Sequence, residues 1–426
     1  MQITSLRLSQ VRGYEQAEFT FLPGMNLLVG VNGVGKSTVL DALRTMLVRA
    51  LPRLTGVKMR SKQFEASDIT NSRGALTVEL TFEIAGHRLT HLIHHPRERY
   101  SSGNQEGAVR GQTYDQENRD NLSYRDEQRV ERRIDAPKDL PAFIKLRKDQ
   151  PLAVYFATHR SLYSKTTGSQ RERSAGGPTF AFAESLRTRR LHIREFTDWW
   201  LVQGELGQPE RVAALQTAVL RFLDNFTGVR VIRDPEPTLV LDKGRCLLAV
   251  DQLSDGERGM LSLVLDLARR LSLANPKLSD PLETGQAVVL IDELDLHLHP
   301  RWQRTVVKKL TETFPACQFI ATTHSPQIIG EVQPESIILL EPDKQPYRPD
   351  QSLGMDSNWI LQYLMDADER HEPDKLQLKA IEALIDRREF DSAEAKISNL
   401  REKRGDFAEL VRLQSRIDRI RILQKR

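Results

Sequence analysis

The sequence predicts an α/β fold whose parallel sheet carries a phosphate-binding loop. Residues 25–29 form a short apolar run, and residues 30–37, which follow it, read G-V-N-G-V-G-K-S. Two further runs, residues 287–291 and 318–323, are largely apolar and lead into polar residues. Continuous runs of this kind are typical of parallel strands that are covered on both faces. Because helical patterns separate these runs, we expect a sheet with its chemistry at the carboxyl ends of its strands.

The phosphate loop, residues 30–37, fits the spacing G-x-x-x-x-G-K-[ST] between a predicted strand and a predicted helix. Its glycines allow successive N–H groups to face an anion, and the helix that follows adds its positive end. Lys36 is expected to reach the outer phosphates, and the Ser37 hydroxyl is expected to ligate Mg²⁺. A Gly-rich turn that matches by chance is the alternative, and the flanking strand and helix count against it. The predicted nucleotide-binding residues are Asn32, Gly33, Gly35, Lys36, Ser37 and Thr38.

Composition bounds the class of protein. With 426 residues, of which 39% are hydrophobic and 28% charged, the chain has room for two or three domains. No apolar run approaches the roughly 20 residues of a membrane helix, so we expect no membrane partner. Cys246 and Cys317 have neither metal-ligand spacing nor a disulfide framework, which indicates a cytoplasmic protein. The net charge of +4 allows contact with nucleic acid without arguing for it.

Alternating patterns predict strands in the first part of the chain. Residues 1–30 alternate as strands do, and residues 75–94 alternate and turn at Gly86 as a hairpin. From residue 96 to about residue 150 the chain is polar and charged. This composition favours a long solvated loop or a poorly ordered insertion over a binding surface.

The middle of the chain combines a core strand with helices. Residues 152–157 are predicted to form the core strand. The Gly/Ser-rich residues 167–178 are expected to be flexible. Residues 182–226 are helical in pattern. Trp199 and Trp200 could stack on nucleic-acid bases, but aromatic residues at helical spacing favour a place in the core.

Polar residues with chemistry follow the two later strands. Asp292 and Glu293 come directly after residues 287–291, and His324 comes directly after residues 318–323. Asp292 would hold Mg²⁺ through water, and Glu293 would polarise a water for in-line attack on a γ-phosphate. His324 would hydrogen-bond that phosphate. An isolated Asp-Glu pair or a lone His carries little weight, but these residues lie where such a fold places its active site.

Together these motifs resemble the ABC-type ATPases of the SMC/RecF group. Besides the phosphate loop and the strand that ends at Glu293, the match includes a signature motif, residues 253–257, and a D-loop, residues 294–300. The resemblance implies a P-loop NTPase head with a helical insertion and a small C-terminal helical region, which hydrolyses ATP to ADP and phosphate with Mg²⁺. It also implies a head-to-tail homodimer that sandwiches ATP, with higher oligomers left open. The resemblance implies that Glu293 and His324 are the catalytic pair. It implies that Ser254, Gly256 and Glu257 are the signature residues that act in trans, and that Asp295 is the D-loop residue.

A narrower resemblance comes from the D-loop and the tail. The D-loop has the form E-x-x-x-H-x-H-P, and residues 354–361 read G-M-D-S-N-W-I-L before a series of short helices. These features are similar to the PtuA family, the ATPases of Septu and retron-associated anti-phage systems. The resemblance implies a sensor and scaffold that controls a separately encoded, PtuB-like HNH nuclease. The two halves of the ATPase head are implied at residues 1–95 and 236–345. Residues 96–235 between them form a charged loop, a core strand and a helical insertion. Residues 346–426 form a C-terminal region for partner or self-association.

Two departures from the family pattern matter. The Q-loop glutamine expected after residues 152–157 is absent, and His159 or Arg160 stands there. After His324 there are no clustered carboxylates of a TOPRIM nuclease, so we expect any nuclease to be a separate polypeptide. The same motifs could belong to the ATPase subunit of a membrane transporter. This interpretation is disfavoured by the absent glutamine, by the charged stretch from residue 96 to about residue 150 and by the added tail.

Two alternatives remain open from the sequence. A RecF-like DNA-repair ATPase that clamps duplex DNA fits the same motifs, although the modest net charge counts mildly against it. In the tail, an apolar stripe at helical spacing predicts either internal packing or a surface for a partner. The stripe consists of Leu410, Leu413, Ile417 and Ile420.

Overall fold

The computed structural model describes residues 1–59, 62–71, 73–97, 131–147, 149–158, 162–163, 179–188, 191–233, 236–366 and 372–424. The chain divides into two compact units, Met1–Ile360 and Leu361–Arg426, and each is described by itself. The predicted parallel sheet lies in the first unit, so the α/β class is confirmed.

Strands and helices follow each other along the described residues. The strands are β1 (Gln2–Val11), β2 (Tyr14–Thr20), β3 (Met25–Gly30), β4 (Ala75–Ile84), β5 (His87–Pro96), β6 (Glu131–Asp135), β7 (Leu152–Phe156), β8 (Leu162–Tyr163), β9 (Leu191–His192), β10 (Gly228–Ile232), β11 (Thr238–Lys243), β12 (Cys246–Ala249), β13 (Ala287–Ile291), β14 (Gln318–Thr323) and β15 (Ile337–Leu340). The α-helices are α1 (Lys36–Thr55), α2 (Leu140–Leu146), α3 (Thr179–Phe182), α4 (Ile193–Glu205), α5 (Pro209–Phe222), α6 (Asp255–Ala274), α7 (Pro281–Thr284), α8 (Pro300–Thr313), α9 (Pro326–Ile329), α10 (Ser357–Leu364), α11 (Glu372–Asp386), α12 (Phe390–Arg404) and α13 (Ala408–Gln424).

The parallel sheet has the strand order β15-β3-β14-β13-β7. Every residue of β3, β13 and β14 is buried, as expected for strands covered on both faces. The apolar runs that predicted these strands are confirmed. Because all five strands run in one direction, the residues that follow β3, β13 and β14 meet at the same edge of the sheet.

An antiparallel sheet, in the order β2-β1-β4-β5-β6, lies on the other side of α1. Its alternating residues, such as Phe19 and Leu80, share one core with α1 residues such as Leu43 and with Leu290 of the parallel sheet. This common core places α1, and therefore the phosphate loop at its start, between the two sheets. The strands predicted from residues 1–30 and 75–94 are confirmed.

The charged stretch after residue 96 is more structured than predicted. Strand β6 pairs with β5, and α2 buries Leu140 and Ile144. The sequence prediction of a loop through residue 150 is therefore wrong for these two elements. Their signal is weak because β6, with the sequence E-R-R-I-D, is a charged edge strand. Residues 98–130, and the predicted flexible segment at 167–178, lie outside the described residues.

The helical prediction for residues 182–226 is confirmed in α4 and α5. Trp199 is fully buried, which supports its assignment to the core. The sequence analysis did not identify the antiparallel sheet β10-β11-β12 that follows. These strands are short, and β12 is only partly buried, so they lack a clear alternating pattern.

Residues 346–360, which the sequence analysis assigned to the C-terminal region, belong to the first unit. The Ser352 hydroxyl donates to the Val332 carbonyl at 2.7 Å, and the Gly354 N–H donates to the Gly330 carbonyl at 2.8 Å. The second unit has its own core. Its apolar stripe packs internally, so the exposed-stripe alternative is wrong: the buried residues are Leu410, Leu413 and Ile417, with Ile420 packed against them.

Both cysteines are free, Cys246 at the surface and Cys317 in the core, where burial raises the pKa of its thiol to about 12. Among the described helices, none combines the length and apolar character required to span a bilayer.

We expect Arg270→Met to lower the free energy of unfolding by about 3 kcal/mol, because it breaks a buried ion pair. The Arg270 side chain in α6 is 2% exposed, and its Nε donates to Asp266 Oδ2 at 2.8 Å. Its Nη1 also donates to the carbonyls of Ala181 and Ala183. Urea denaturation followed by tryptophan fluorescence measures the change.

The matched control for this prediction is Arg304→Met. Arg304 pairs with Glu331 at the surface, where the two side chains are 57% and 38% exposed. Exposed pairs contribute little, so the control should change stability by less than about 1 kcal/mol. Equal stability of the Arg270 and Arg304 variants would contradict the prediction.

Candidate nucleotide-binding and hydrolysis site

The phosphate loop owes its shape to its glycines. Gly33 and Gly35 have φ angles of 83° and 105°, a left-handed conformation that favours glycine. Gly30 lies so close to β15 that a Cβ atom there would be 2.4 Å from the Leu340 carbonyl oxygen. Helix α1 then begins at Lys36 without a side-chain cap at Gly35. Its first N–H groups are therefore available to an anion.

Lys36 is buried against the loop that precedes it. Its Nζ donates to the carbonyls of Gly30 and Val31, at 2.7 and 2.9 Å. Burial lowers the pKa of Lys36 to about 8, and the nearby carboxylates of residues 292, 293 and 295 only partly offset this effect. The loop therefore holds a cation that is short of compensating negative charge, which is the condition for binding phosphate.

Ser37 and Asp292 come together although 255 positions separate them in the chain. Ser37 Oγ lies 3.5 Å from Asp292 Oδ1. Thr322 fixes that carboxylate, because its hydroxyl donates to the same oxygen at 2.8 Å. The Thr322 hydroxyl in turn accepts the Glu293 N–H at 2.7 Å. One threonine in β14 thus orients both acidic residues that follow β13.

His324 is held by the D-loop. Asp295 Oδ1 accepts the Thr323 hydroxyl at 2.7 Å and the His324 N–H at 3.2 Å. Burial lowers the pKa of His324, and the positive charge of Lys36 lowers it further. The carboxylates of residues 292, 293 and 295 act in the opposite direction without reversing the shift. The imidazole is therefore neutral near neutral pH.

Glu293 has a φ angle of 50°, which is uncommon for a residue other than glycine. Strain of this kind concentrates at functional sites, because the surrounding structure must maintain it. Here the hydrogen bond to Thr322 and that of the Leu294 N–H to the Thr322 carbonyl, at 2.8 Å, hold the turn. The carboxyl end of β13 is thereby fixed against β14.

The sequence analysis missed several residues that support the site. Thr322 and Thr323 were included in a strand without a role, although two polar residues in a buried strand are themselves a signal. Tyr155, near the end of β7, carries the Arg44 guanidinium 4.5 Å from its ring centre. Burial raises the pKa of Tyr155 to about 12, and the charge of Asp292 contributes to the shift. His159 and Arg160, expected in place of the Q-loop glutamine, lie outside the described residues.

The signature residues form the start of α6. Ser254 caps the helix, and its hydroxyl accepts the Glu257 N–H at 3.3 Å, while Glu257 Oε2 accepts the Ser254 N–H at 2.9 Å. Lys243 contacts the other oxygen of Glu257 at 3.1 Å. A Cβ atom on Gly256 would lie 2.5 Å from the His297 carbonyl oxygen. The signature thus packs against the D-loop of its own chain, and its exposed residue Ser254 faces solvent.

Comparisons with known proteins identify relatives of this chain. A family model described as "AAA domain, putative AbiEii toxin, Type IV TA system" matches residues 25–330. The Retron Ec83 probable ATPase of Escherichia coli is 26% identical over 88% of this chain and 78% of its own length. The Septu protein PtuA of Bacillus thuringiensis is 22% identical over 80% of this chain and 76% of its own length.

Among solved structures, a crystal structure of an Smc head bound to the C-winged helix domain of ScpA is 14% identical. It covers 83% of this chain, this chain covers 98% of it, and the TM-score is 0.49.

The family match extends over most of the chain and includes both the phosphate loop and His324. The predictions of a P-loop ATPase fold and of an ATPase related to those of antiviral defence are confirmed. Nucleotide binding follows from the family match. The chain belongs to the family described as "AAA domain, putative AbiEii toxin, Type IV TA system", and it is an ATPase related to the Retron Ec83 probable ATPase and to the Septu protein PtuA.

Proposed function

We propose that this ATPase binds ATP with Mg²⁺ in its phosphate loop and hydrolyses it with Glu293 and His324. One observation carries the proposal: β3, β13 and β14 end at the same edge of the sheet, with Lys36 within electrostatic reach of the carboxylates and of His324. Phosphoryl transfer to water requires a cation that contacts the phosphate oxygens. It also requires carboxylates that bind a metal ion beside the phosphates.

The phosphate loop would hold the triphosphate mainly through its backbone. Asn32 and Gly33 are exposed, so their N–H groups can face the phosphates. Lys36 would exchange its hydrogen bonds with the Gly30 and Val31 carbonyls for bonds to the outer phosphates. Thr38 lies in the first turn of α1, at the positive end of the helix, where its N–H can face an anion.

The donors present suit a magnesium ion. Ser37 Oγ and Asp292 Oδ1 are hard oxygen ligands 3.5 Å apart, and Thr322 orients the carboxylate. Ser37 would hold Mg²⁺ directly, and Asp292 would hold it through water. Bound Mg²⁺ would neutralise charge that develops on the phosphate oxygens.

Glu293 is our candidate general base. Its carboxylate would accept a proton from the attacking water, while Thr322 holds its backbone in place. His324 is our candidate contact to the γ-phosphate, to which a neutral imidazole can donate one hydrogen bond. Asp295 positions His324 by accepting its backbone N–H at 3.2 Å.

A second copy of the chain would complete the site. We infer that Ser254, Gly256 and Glu257 of one protomer close on the γ-phosphate held by the other, in a head-to-tail homodimer on which any higher oligomer would build. Ser254 is exposed at the start of α6, where helix N–H groups favour an anion. Gly256 contacts the D-loop, so the signature and Asp295 of one protomer would approach its partner together.

The nucleotide state would control a separately encoded nuclease of the HNH, PtuB-like type. Support comes from the similarity to the Retron Ec83 probable ATPase and to the Septu protein PtuA. In addition, the described residues contain no group of three or more His, Cys, Asp or Glu residues placed to hold a metal ion. The C-terminal region is our candidate for the partner contact. Its inner stripe is already packed, so the contact would use exposed apolar residues such as Leu376 and Val411.

ATP affinity should fall as pH rises above about 8. Bound phosphate favours charged Lys36, so affinity is complete below the pKa of about 8 and decreases by up to about tenfold per pH unit above it. Isothermal titration between pH 7 and pH 10 measures this slope. Lys36→Arg stays charged and should bind more weakly without the slope, while Lys36→Ala should not bind detectably. Tight binding by Lys36→Ala would place the nucleotide elsewhere.

Glu293→Gln should bind ATP with near-normal affinity but hydrolyse it at least about 100-fold more slowly, because it lacks the proton acceptor. The trapped ATP should shift the protein to a dimer in analytical ultracentrifugation, and Ser254→Arg should reverse that shift. Glu312→Gln, at a side chain 62% exposed in α8, is the control and should hydrolyse ATP normally. Hydrolysis at the normal rate by Glu293→Gln would exclude Glu293 as the base.

The product of the adjacent reading frame, which we propose to be an HNH nuclease, should co-purify with this chain. The amount retained should differ between Glu293→Gln with ATP and Lys36→Ala. Both samples are compared after co-expression with a tag on the ATPase only. Failure to retain the nuclease in any nucleotide condition would reject the nuclease partner. Strong stimulation of hydrolysis by duplex DNA alone, with a steep salt dependence, would favour the RecF-like alternative instead.

A further inference from the structure

We propose that Tyr14 is a positioning residue that holds the phosphate loop in its binding conformation. This inference rests on the proposed nucleotide site and adds a residue from outside it. Tyr14 is the first residue of β2 in the antiparallel sheet, and neither the phosphate loop nor the D-loop contains it.

Two contacts join Tyr14 to the loop. Its hydroxyl donates to the Val34 carbonyl at 3.1 Å. Its ring covers Gly35 so closely that a Cβ atom on Gly35 would lie 2.7 Å from Cε2 and from Oη. Two independent reasons therefore require glycine at residue 35: its φ angle of 105° and the closeness of the Tyr14 ring.

Tyr14 is itself firmly anchored. Its ring meets the Phe19 ring edge to face, with centroids 5.8 Å apart and an angle of 84° between the planes. Phe19 is fully buried, and Tyr14 pairs with Val11 across the β1–β2 hairpin. Burial raises the pKa of the Tyr14 hydroxyl, which therefore remains a hydrogen-bond donor at all moderate pH values.

The hydrogen bonds of Lys36 explain why the loop needs this support. Lys36 Nζ ties the first part of the loop together through the Gly30 and Val31 carbonyls. In our proposed site Lys36 transfers these bonds to the phosphates, so the loop loses its internal tie when ATP binds. The Tyr14 bond to Val34 involves no atom of Lys36, and it would keep the N–H groups aimed at the phosphates.

This role differs from base stacking, which an aromatic residue beside a nucleotide could also perform. The hydroxyl is directed to a loop carbonyl and the ring lies over Gly35, so both features act on the loop. A residue that shapes the loop affects every ligand carrying a triphosphate. A residue that stacks on the base affects only ligands that have a base.

The test compares the affinities of Tyr14→Phe and Tyr14→Ala for ATP, GTP and inorganic tripolyphosphate, each with Mg²⁺. Tyr14→Phe keeps the ring and loses one hydrogen bond, so we expect about fivefold weaker binding of all three ligands. Tyr14→Ala also loses the ring and should bind all three about 50-fold more weakly. Tyr363→Ala, at an exposed tyrosine in α10, is the control and should bind as the unchanged protein does.

A second readout does not depend on ligand binding. Amide hydrogen exchange at Val34, Gly35 and Lys36 should be faster in Tyr14→Phe than in the unchanged protein, with exchange in β13 unaltered. This measurement also shows that the variant is folded.

Three outcomes overturn the inference. Weaker binding of ATP with unchanged binding of tripolyphosphate would indicate base stacking. Unchanged binding and exchange would exclude a positioning role. If Lys36→Ala still binds ATP tightly, the proposed nucleotide site itself fails, whereas loss of binding in Lys36→Ala with normal Tyr14 variants rejects only the role of Tyr14.

Discussion

The register of β14 between β3 and β13 is the constraint on which the candidate site depends. Thr322 pairs with Leu28 of β3, and Ala321 pairs with Ile291 of β13. This register brings the Thr322 hydroxyl to Asp292 and to the backbone of Glu293, and it brings Thr323 to Asp295. A shift of one residue would turn each side chain to the opposite face of the sheet. The phosphate loop and the acidic residues would then no longer share one edge.

The electrostatics of the site follow from that packing. Lys36 is buried, and its pKa is lowered although three carboxylates lie within reach. Burial and, to a smaller extent, the positive charge of Lys36 also lower the pKa of His324. The site therefore combines one cation, a group of carboxylates and a neutral imidazole. Phosphate and a divalent cation together complement that combination better than either does alone. The phosphate pairs with the cation of Lys36, and the divalent cation pairs with the carboxylates.

The signature adds a relation that the linear motifs do not express. Gly256 and the D-loop residue His297 are in direct backbone contact within one chain, and His297 has a φ angle of 61°. Any side chain at residue 256 would separate the two segments. In the proposed dimer the signature motif and the D-loop both face the partner protomer. Because they contact each other closely within one chain, the two segments would move together.

Local sequence determined a large part of this protein. The motif at residues 30–37, the buried runs before Asp292 and His324, and the alternation in β1 and β4 each depend on neighbours in the chain, so periodicity and spacing were enough to predict them. The tertiary structure alone decided which residues support the motifs: Thr322, Thr323, Tyr14 and Arg44 gain their roles from contacts with residues distant in sequence. It also decided that the stripe with Leu410 and Ile417 packs internally, and that β6 forms despite its charges. The physical reason is the same in each case. A local pattern shows that a side chain can be buried or can bind, but which partner it meets depends on strand order, register and packing.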